Sequence, residues 1–307
     1  MNRGMDNEAS TQGRGRRLTR RAFLWRTLAA GLGLGLSAVG CGGYAHLLEP
    51  RWFDIEEVTV ELARLPRALD GLTIVHLSDL HLGPYLGAPE LARVVEMVQR
   101  LRPQLVVISG DFISRGSEWR REENLAPLAA LQAPLGTFAV LGNHDHWTDP
   151  AWVADTVRRL GVTVLFNEAH KLSDAGEGCW LVGVDDIWVG AGDLERALAR
   201  VPAEACKLLL VHEPDFADKA ARWGVDLQLS GHSHGGQVRL PFLGAPLLPL
   251  WGRKYPIGLQ QAGDTWVYTN RGLGMIFPPL RFNCRPEVTL LTLRKVSNEK
   301  IHPQAGT

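Results

Sequence analysis

Five short polar motifs stand in order along this 307-residue chain, each directly after an apolar run: Asp79-Leu80-His81, Gly110-Asp111, Gly142-Asn143-His144-Asp145, Val211-His212-Glu213 and Gly231-His232-Ser233-His234. They hold five of the ten histidines. A chain built this way is expected to bring the ends of several strands together, because in open α/β sheets ligands bind beyond the carboxyl ends of the strands. The oxygen and imidazole donors suffice for two metal ions, and they suit Mn, Fe or Zn, whereas a soft site would need thiolates. The pattern points to metal-dependent hydrolytic chemistry.

The hydrophobic periodicity supplies the frame. Residues 53–60, 72–77, 105–108 and 137–141 read as strands, with helices expected over 91–101, 118–131 and 151–160. That β-α-β-α-β succession argues for parallel strands with helical crossovers. Further strands are expected at 162–166, 180–184, 207–211 and 227–229, with a helix at 194–201. Gly and Pro become dense over 241–258, which suggests turns, and late strands at 266–269 and 288–293 are expected in a second sheet. The segment 240–251 is unusually apolar. Packed between sheets it would be core; beside the metal motif it would suit a lipid-linked substrate.

A hydrophobic content of 45% is ample for one well-buried core. The formal charge of zero hides an asymmetry, since residues 1–26 hold seven Arg against Asp6 and Glu8, which leaves 26 basic and 31 acidic residues from position 27 onward. A balance of that sign offers no broad basic surface, so no nucleic-acid binding is expected. The four cysteines (Cys41, Cys179, Cys206, Cys284) lack Cys-x-x-Cys spacing, and Cys179 and Cys206 read as small buried hydrophobes.

The leader divides from the rest. Thr19-Arg20-Arg21-Ala22-Phe23-Leu24 precedes an uncharged stretch of 22 residues, 27–48. It resembles a twin-arginine export signal, and the stretch is long enough to remain as a membrane anchor. Ala38-Val39-Gly40-Cys41 is similar to a degenerate lipoprotein processing site. Gly33-x-Gly35-x-x-Ala38 mimics a dinucleotide fingerprint, but no strand precedes it. The expected organisation is a signal and anchor over 1–50, a catalytic domain over 51–296 and a loose polar tail over 297–307. Twin-arginine machinery would be the export partner, placing the domain in the periplasm or on the extracytoplasmic face of the plasma membrane.

The motif series from Asp79 to His234 resembles that of the calcineurin-like metallophosphoesterase superfamily. A closer resemblance, to exported bacterial phosphodiesterases of the YaeI and YkuE type, is carried by Glu49-Pro50-x-Trp52-Phe53, Val164-Leu165-Phe166-Asn167, Gly235-Gly236-Gln237 after the last motif, and Asn283-Cys284-Arg285-Pro286-Glu287-Val288-Thr289. It implies an α/β fold, a four-layer α/β/β/α sandwich of two mixed sheets flanked by helices, and phosphodiester hydrolysis by a dinuclear metal-activated hydroxide.

The resemblance further implies that Asp79, His81 and His234 bind one ion, that Asn143, His212 and His232 bind the other, and that Asp111 bridges them. A shared carboxylate is also what two neighbouring dications require. His144 would act beside the metals, donating a proton to the leaving oxygen or binding a phosphoryl oxygen, with Asp145 holding its orientation. Arg115 falls where related phosphatases place a phosphate-binding arginine, although Ser114 stands where an acidic residue is often seen. Arg271 and Asp186 are weaker candidates, Asp185-Asp186 reads as a turn, His76 as an internal strand residue, and His146 as a neighbour of the site. The alternatives are a pyrophosphatase acting on nucleotide-activated lipids or sugars, which would use the same centre, and a metal-binding protein without catalysis.

Overall fold

Alternate residues of the strands fall into different apolar clusters, and this alternation builds the layers. A computed structural model describes residues 19–296 apart from 117, 119 and 177; the tail expected at 297–307 lies outside the described residues. The chain divides between Gly43 and Tyr44 into two units.

Among the described residues the first unit contains one helix, α1 (Arg20–Gly43), whose described side chains are exposed as far as Gly42. It absorbs the false dinucleotide fingerprint. Its 24 residues span roughly 36 Å at 1.5 Å per residue. Among the described residues one helical stretch, Phe23–Arg51, is long and apolar enough to cross a membrane, and it takes in all but the first turn of this helix.

The second unit carries twelve strands: β1 (Asp54–Leu62), β2 (Thr73–Leu77), β3 (Leu105–Ser109), β4 (Thr137–Val140), β5 (Thr163–Val164), β6 (Glu168–Ser173), β7 (Cys179–Gly183), β8 (Cys206–Leu210), β9 (Leu227–Ser230), β10 (Gly258–Ala262), β11 (Thr265–Thr269) and β12 (Glu287–Lys295). Its helices are α2 (Ala88–Leu101), α3 (Glu122–Leu125), α4 (Asn143–Thr148), α5 (Pro150–Arg159), α6 (Leu194–Leu198) and α7 (Ala217–Arg222). The strands form two six-stranded sheets, ordered β1-β12-β2-β3-β4-β5 and β10-β11-β9-β8-β7-β6.

Val75, Val106, Ile108 and Ala139 face the α2 and α5 side with Val94 and Val153, whereas Ile74, Leu105, Val107 and Phe138 face the other sheet. In the second sheet Leu208 and Leu210 join that same inter-sheet cluster, and Leu209 and Val211 turn outward to Leu194, Phe216 and Ala220. Three apolar interfaces therefore separate four layers, α/β/β/α, and both sheets are mixed. Cys179 and Cys206 sit side by side in the inter-sheet core as free thiols, as expected of small hydrophobes.

Three expectations change. The helix read over 118–131 is split into α3 and a 3-10 turn over Ala126–Ala130, because Pro127 has no N–H to continue an α-helix. The strand read at 288–293 lies inside the first sheet, parallel to β1 and antiparallel to β2. It fits there because both its faces are apolar: Val288 packs toward the helices, Leu291 and Leu293 toward the other sheet. The apolar segment 240–251 is not core packing, since Leu240, Phe242, Leu243, Leu247, Leu250 and Trp251 are all exposed.

Candidate metal centre

Parallel strands deliver every predicted ligand at their carboxyl ends: β2 leads to Asp79 and His81, β3 to Asp111, β4 to Asn143, β8 to His212, and β9 to His232 and His234. Leaving the sheet requires unusual backbone. Asp79 (φ 48), His81 (φ 43), Asp111 (φ 55), His232 (φ 66) and His234 (φ 51) all occupy the left-handed region, which side-chain-bearing residues adopt rarely. Such strain clusters at functional sites, where the surrounding structure holds it in place.

The result is a tight cluster of ligand atoms. His81 Nε2 lies 3.0 Å from His234 Nε2, His234 Nε2 lies 3.4 Å from Asp79 Oδ1, and Asp111 Oδ2 lies 3.4 Å from His81 Nε2 and 3.2 Å from His212 Nε2. Two donors each about 2.1 Å from one ion stand roughly 3.0–3.4 Å apart, so these separations fit shared coordination. Asp79, His81 and His234 form one group that could hold an ion, and Asp79, Asp111 and His212 another. His232 stacks edge-on against His212, with ring centroids 4.9 Å apart. Its Nε2 donates to Leu250 O at 2.7 Å, which leaves Nδ1 for an ion.

Among the described residues, Asn143 Oδ1 is buried without a hydrogen bond, and so is His212 Nε2, which has only the Asp111 carboxylate beside it at 3.2 Å; burial of an unpaired polar atom costs about 1–3 kcal/mol. A cation is the group that satisfies both an amide oxygen and an imidazole lone pair, so the residues fit a divalent ion. His212 Nδ1–H donates to Ser109 O at 2.7 Å, which directs Nε2 inward as the lone-pair nitrogen.

The charges tell the same story. Burial pulls His212 down, but the Asp111 and Asp79 carboxylates outweigh it and hold its imidazole well above the usual range, so without a metal Nε2 carries a proton that a cation binding there displaces. For Asp111 burial pushes upward, and His212 and His144 overcome it, leaving the carboxyl well below its usual value. Burial lowers His81 and His232 to about 3, so both are neutral imidazoles at pH 7. Neutral imidazole and ionised carboxylate are the forms that ligate metals.

A sequence profile of the calcineurin-like phosphoesterase family matches residues 72–236, a span that contains every one of these side chains. The chain belongs to that family. It is 36% identical over 288 residues to the metallophosphoesterase YkuE of Bacillus subtilis (strain 168), covering 92% of this chain and 100% of the relative. It is 32% identical over 284 residues to phosphodiesterase YaeI of Escherichia coli (strain K12), covering 90% and 99%. A transmembrane protein with metallophosphoesterase domain from Bos taurus is 37% identical over 258 residues, covering 78% of this chain and 57% of the relative. The protein is a phosphoester hydrolase of a family that uses divalent metals.

Other predicted residues of this phosphoesterase find different places. A ring nitrogen of His144 falls within the cluster of His81 and Asp111, and its ring meets His81 edge-on at 4.6 Å. Asp145 does not hold that ring. Its Oδ1 accepts from Phe112 N (2.9 Å) and Ile113 N (3.2 Å) and its Oδ2 from Gly142 N (3.1 Å), while His144 Nδ1 has no partner. Both carboxylate oxygens serve backbone amides, so Asp145 fixes the loops that carry Asp111 and Asn143. Arg115 is exposed and stacks over Trp147 at 5.4 Å, at the rim beside His144. Arg271 is bound by Glu287, Glu56 and Asp54, which makes it a structural node. His76 is an internal strand residue bonded to Ser109 Oγ at 2.8 Å. His146 pairs with Asp185 at 2.8 Å.

Some neighbours carried no readable signal. Ser78 Oγ–H donates to Asp79 Oδ2 at 2.5 Å, and fully buried Arg281 donates to the carbonyls of Arg271, Gly272, Gly274 and Cys284 beneath the Asp79 loop. Trp147 and Trp188 line a rim that runs from His144 to His232, with successive ring centroids 5.0, 5.4 and 5.2 Å apart. Glu213 accepts from Trp188 N at 3.1 Å and is pushed well above its usual range by burial and by buried Asp186. Asp186 thus supports the loop bearing Trp188 from behind.

Gly231 shows how close the packing is. A Cβ there would lie 1.6 Å from Ser78 Oγ and 2.2 Å from Asp79 Oδ2. Gly231→Ala is expected to displace Asp79, weaken metal uptake and destabilise by about 1–3 kcal/mol. Thermal unfolding with and without added Mn checks this: the midpoint falls, and the added metal raises it less than in the parent.

Proposed function

We propose that this phosphoesterase cleaves phosphodiesters at a dinuclear centre outside the plasma membrane. The observation that carries the reading is the position of Asp111 Oδ2, one oxygen facing both His81 Nε2 at 3.4 Å and His212 Nε2 at 3.2 Å. Asp79, His81 and His234 would hold one ion and Asn143, His212 and His232 the other, with Asp111 between. When bound, two such ions supply an activated water and Lewis acidity toward the phosphoryl oxygens. No hydrogen bond among the described residues engages the His144 ring, so an N–H of that ring is free to meet the leaving oxygen or a phosphoryl oxygen. Trp147 and Trp188 give the opening an apolar wall, and Arg115 adds a positive charge at its edge.

The diester preference draws on the likeness to YaeI, named as a phosphodiesterase. Export rests on Arg20-Arg21 at the head of α1 as a twin-arginine signal, with α1 retained as anchor, and the exposed apolar segment 240–251 favours a lipid-linked substrate. The test is turnover of an aryl phosphodiester by purified full-length protein, stripped of metal and reloaded with Mn, Zn or Fe. Two ions per chain and restoration of the lost rate are expected. Turnover that survives complete stripping sinks the metal reading, and metal uptake without turnover of any diester sinks the enzymatic one.

A further inference from the structure

Exposed apolar side chains are concentrated on two turns of the compact unit. Phe242 is fully exposed, Leu243 is 79% exposed, Leu247 75% and Phe277 85%. The first turn is closed by Leu240 N donating to Gly244 O at 2.8 Å and Gly244 N to Leu240 O at 2.9 Å, which leaves Phe242 and Leu243 at its tip. The two turns are adjacent. Gln237 Nε2 donates to Ile276 O and Pro278 O, Ile276 N donates to Gln237 Oε1, and Arg239 N donates to Phe282 O.

The residues that follow α1 are tied to the same place. Arg281 N donates to Ala45 O at 2.9 Å, a His46 Nδ1–H donates to Pro279 O at 2.8 Å, and the Tyr44 ring meets Phe282 edge-on. Because Gly43 is bonded to Tyr44, a bilayer crossed by α1 has its surface within reach of these turns. Charge agrees with that partner: neither 231–263 nor 265–286 contains an acidic residue, Arg239 and Arg253 lie in the first, and Lys254 there is paired with Asp218. A protruding apolar tip flanked by basic residues suits the headgroup boundary of an anionic membrane. A protein partner would instead be expected to meet a shaped patch with a polar rim.

We propose that these two turns form a bilayer-docking surface, with Phe242, Leu243, Leu247 and Phe277 entering the lipid at the headgroup level. The docked segment reaches the metal centre directly, since Leu250 O accepts from His232 Nε2 at 2.7 Å. Docking therefore holds the catalytic opening at the surface where the phosphoesters of lipids lie. This rests on the reading of α1 as a retained anchor.

The experiment uses the full chain carrying Cys41→Ala and Leu243→Cys, labelled with an environment-sensitive nitrobenzoxadiazole, in phosphatidylcholine/phosphatidylglycerol vesicles with brominated acyl chains. Ala92→Cys on α2 is the control. The Leu243 label is expected to shift to the blue and to be quenched roughly twofold by bromolipid, with no change at Ala92. Adding Phe277→Asp should abolish the shift while turnover of a soluble aryl phosphoester stays at the parent level. Vesicle flotation separates the two readings. Flotation with a solvent-like label overturns docking and leaves the anchor standing; neither flotation nor a shift overturns both. A shift already present in lipid-free detergent, growing with protein concentration, assigns the turns to a second copy of the chain and overturns docking.

Discussion

Asp111→Ala is expected to remove at least one metal ion per chain and to lower kcat/KM for a phosphodiester by about 10³-fold or more, since metal stabilisation of the transition state is worth several kcal/mol and each 1.36 kcal/mol is tenfold. Among the described residues Asp111 Oδ2 is the one carboxylate oxygen within 3.4 Å of ligand nitrogens from both sheets, His81 after β2 and His212 after β8. Without it, two dications would face each other unscreened. Its other oxygen accepts from His144 N at 2.8 Å, so the same side chain also holds the loop that presents His144. Asp111→Asn separates these roles, because an amide keeps that hydrogen bond and loses the charge. If the charge is what matters, the asparagine variant loses metal and activity nearly as far as the alanine variant while unfolding at close to the parental temperature. Two retained ions with activity within tenfold of the parent in Asp111→Ala would overturn the bridging assignment.

The ligand series was legible because each motif followed an apolar run, and a run that ends in a parallel strand can only release its next residues at the carboxyl edge. The left-handed backbone at Asp79, His81, Asp111, His232 and His234 is only weakly legible, since Asp and His tolerate positive φ better than most side-chain-bearing residues but nothing in their order says which of them adopts it. It depends on glycines that approach from elsewhere in the chain, as Gly231 approaches Ser78 and Asp79. Asp145 was misassigned for a related reason. Adjacency to His144 suggested a side-chain bond, but at the third position of α4 its carboxylate meets the amides of Gly142, Phe112 and Ile113 instead. The edge strands β6 and β10 are not legible because little of either face is buried, so they have neither the continuous apolar run of a central strand nor the alternation of a half-buried one. Arg281 was unreadable as a core residue, since only four converging carbonyls make its burial tolerable.

His144→Ala is expected to lower kcat by about 10²–10⁴ while both ions remain bound, the range typical of a positioned proton donor. Metal retention is the expected outcome, although a His144 ring nitrogen lies with His81 and Asp111 in a group that could itself hold an ion. Asp79, His81, Asp111, His212 and His234 already account for the close ligand contacts, and the His144 side chain adds a ring at their edge and no hydrogen bond to any of them. The two roles open to that ring differ in their dependence on the leaving group. A proton donor matters most when an alkoxide departs and little when a nitrophenolate does, whereas a contact to a phosphoryl oxygen matters for both. Burial, His212 and Arg115 lower the His144 pKa against the pull of Asp111, so the ring is predominantly neutral at pH 7. A neutral ring donates a hydrogen bond readily, but proton transfer requires the imidazolium, so a true acid should act more strongly as pH falls. The rate difference between parent and His144→Ala, measured on an alkyl and a nitrophenyl diester across pH, separates the cases. A loss confined to the alkyl diester and growing at low pH identifies the acid; an equal loss on both, flat with pH, identifies the phosphoryl contact. Loss of metal in His144→Ala overturns both and returns the ring to the ligand set.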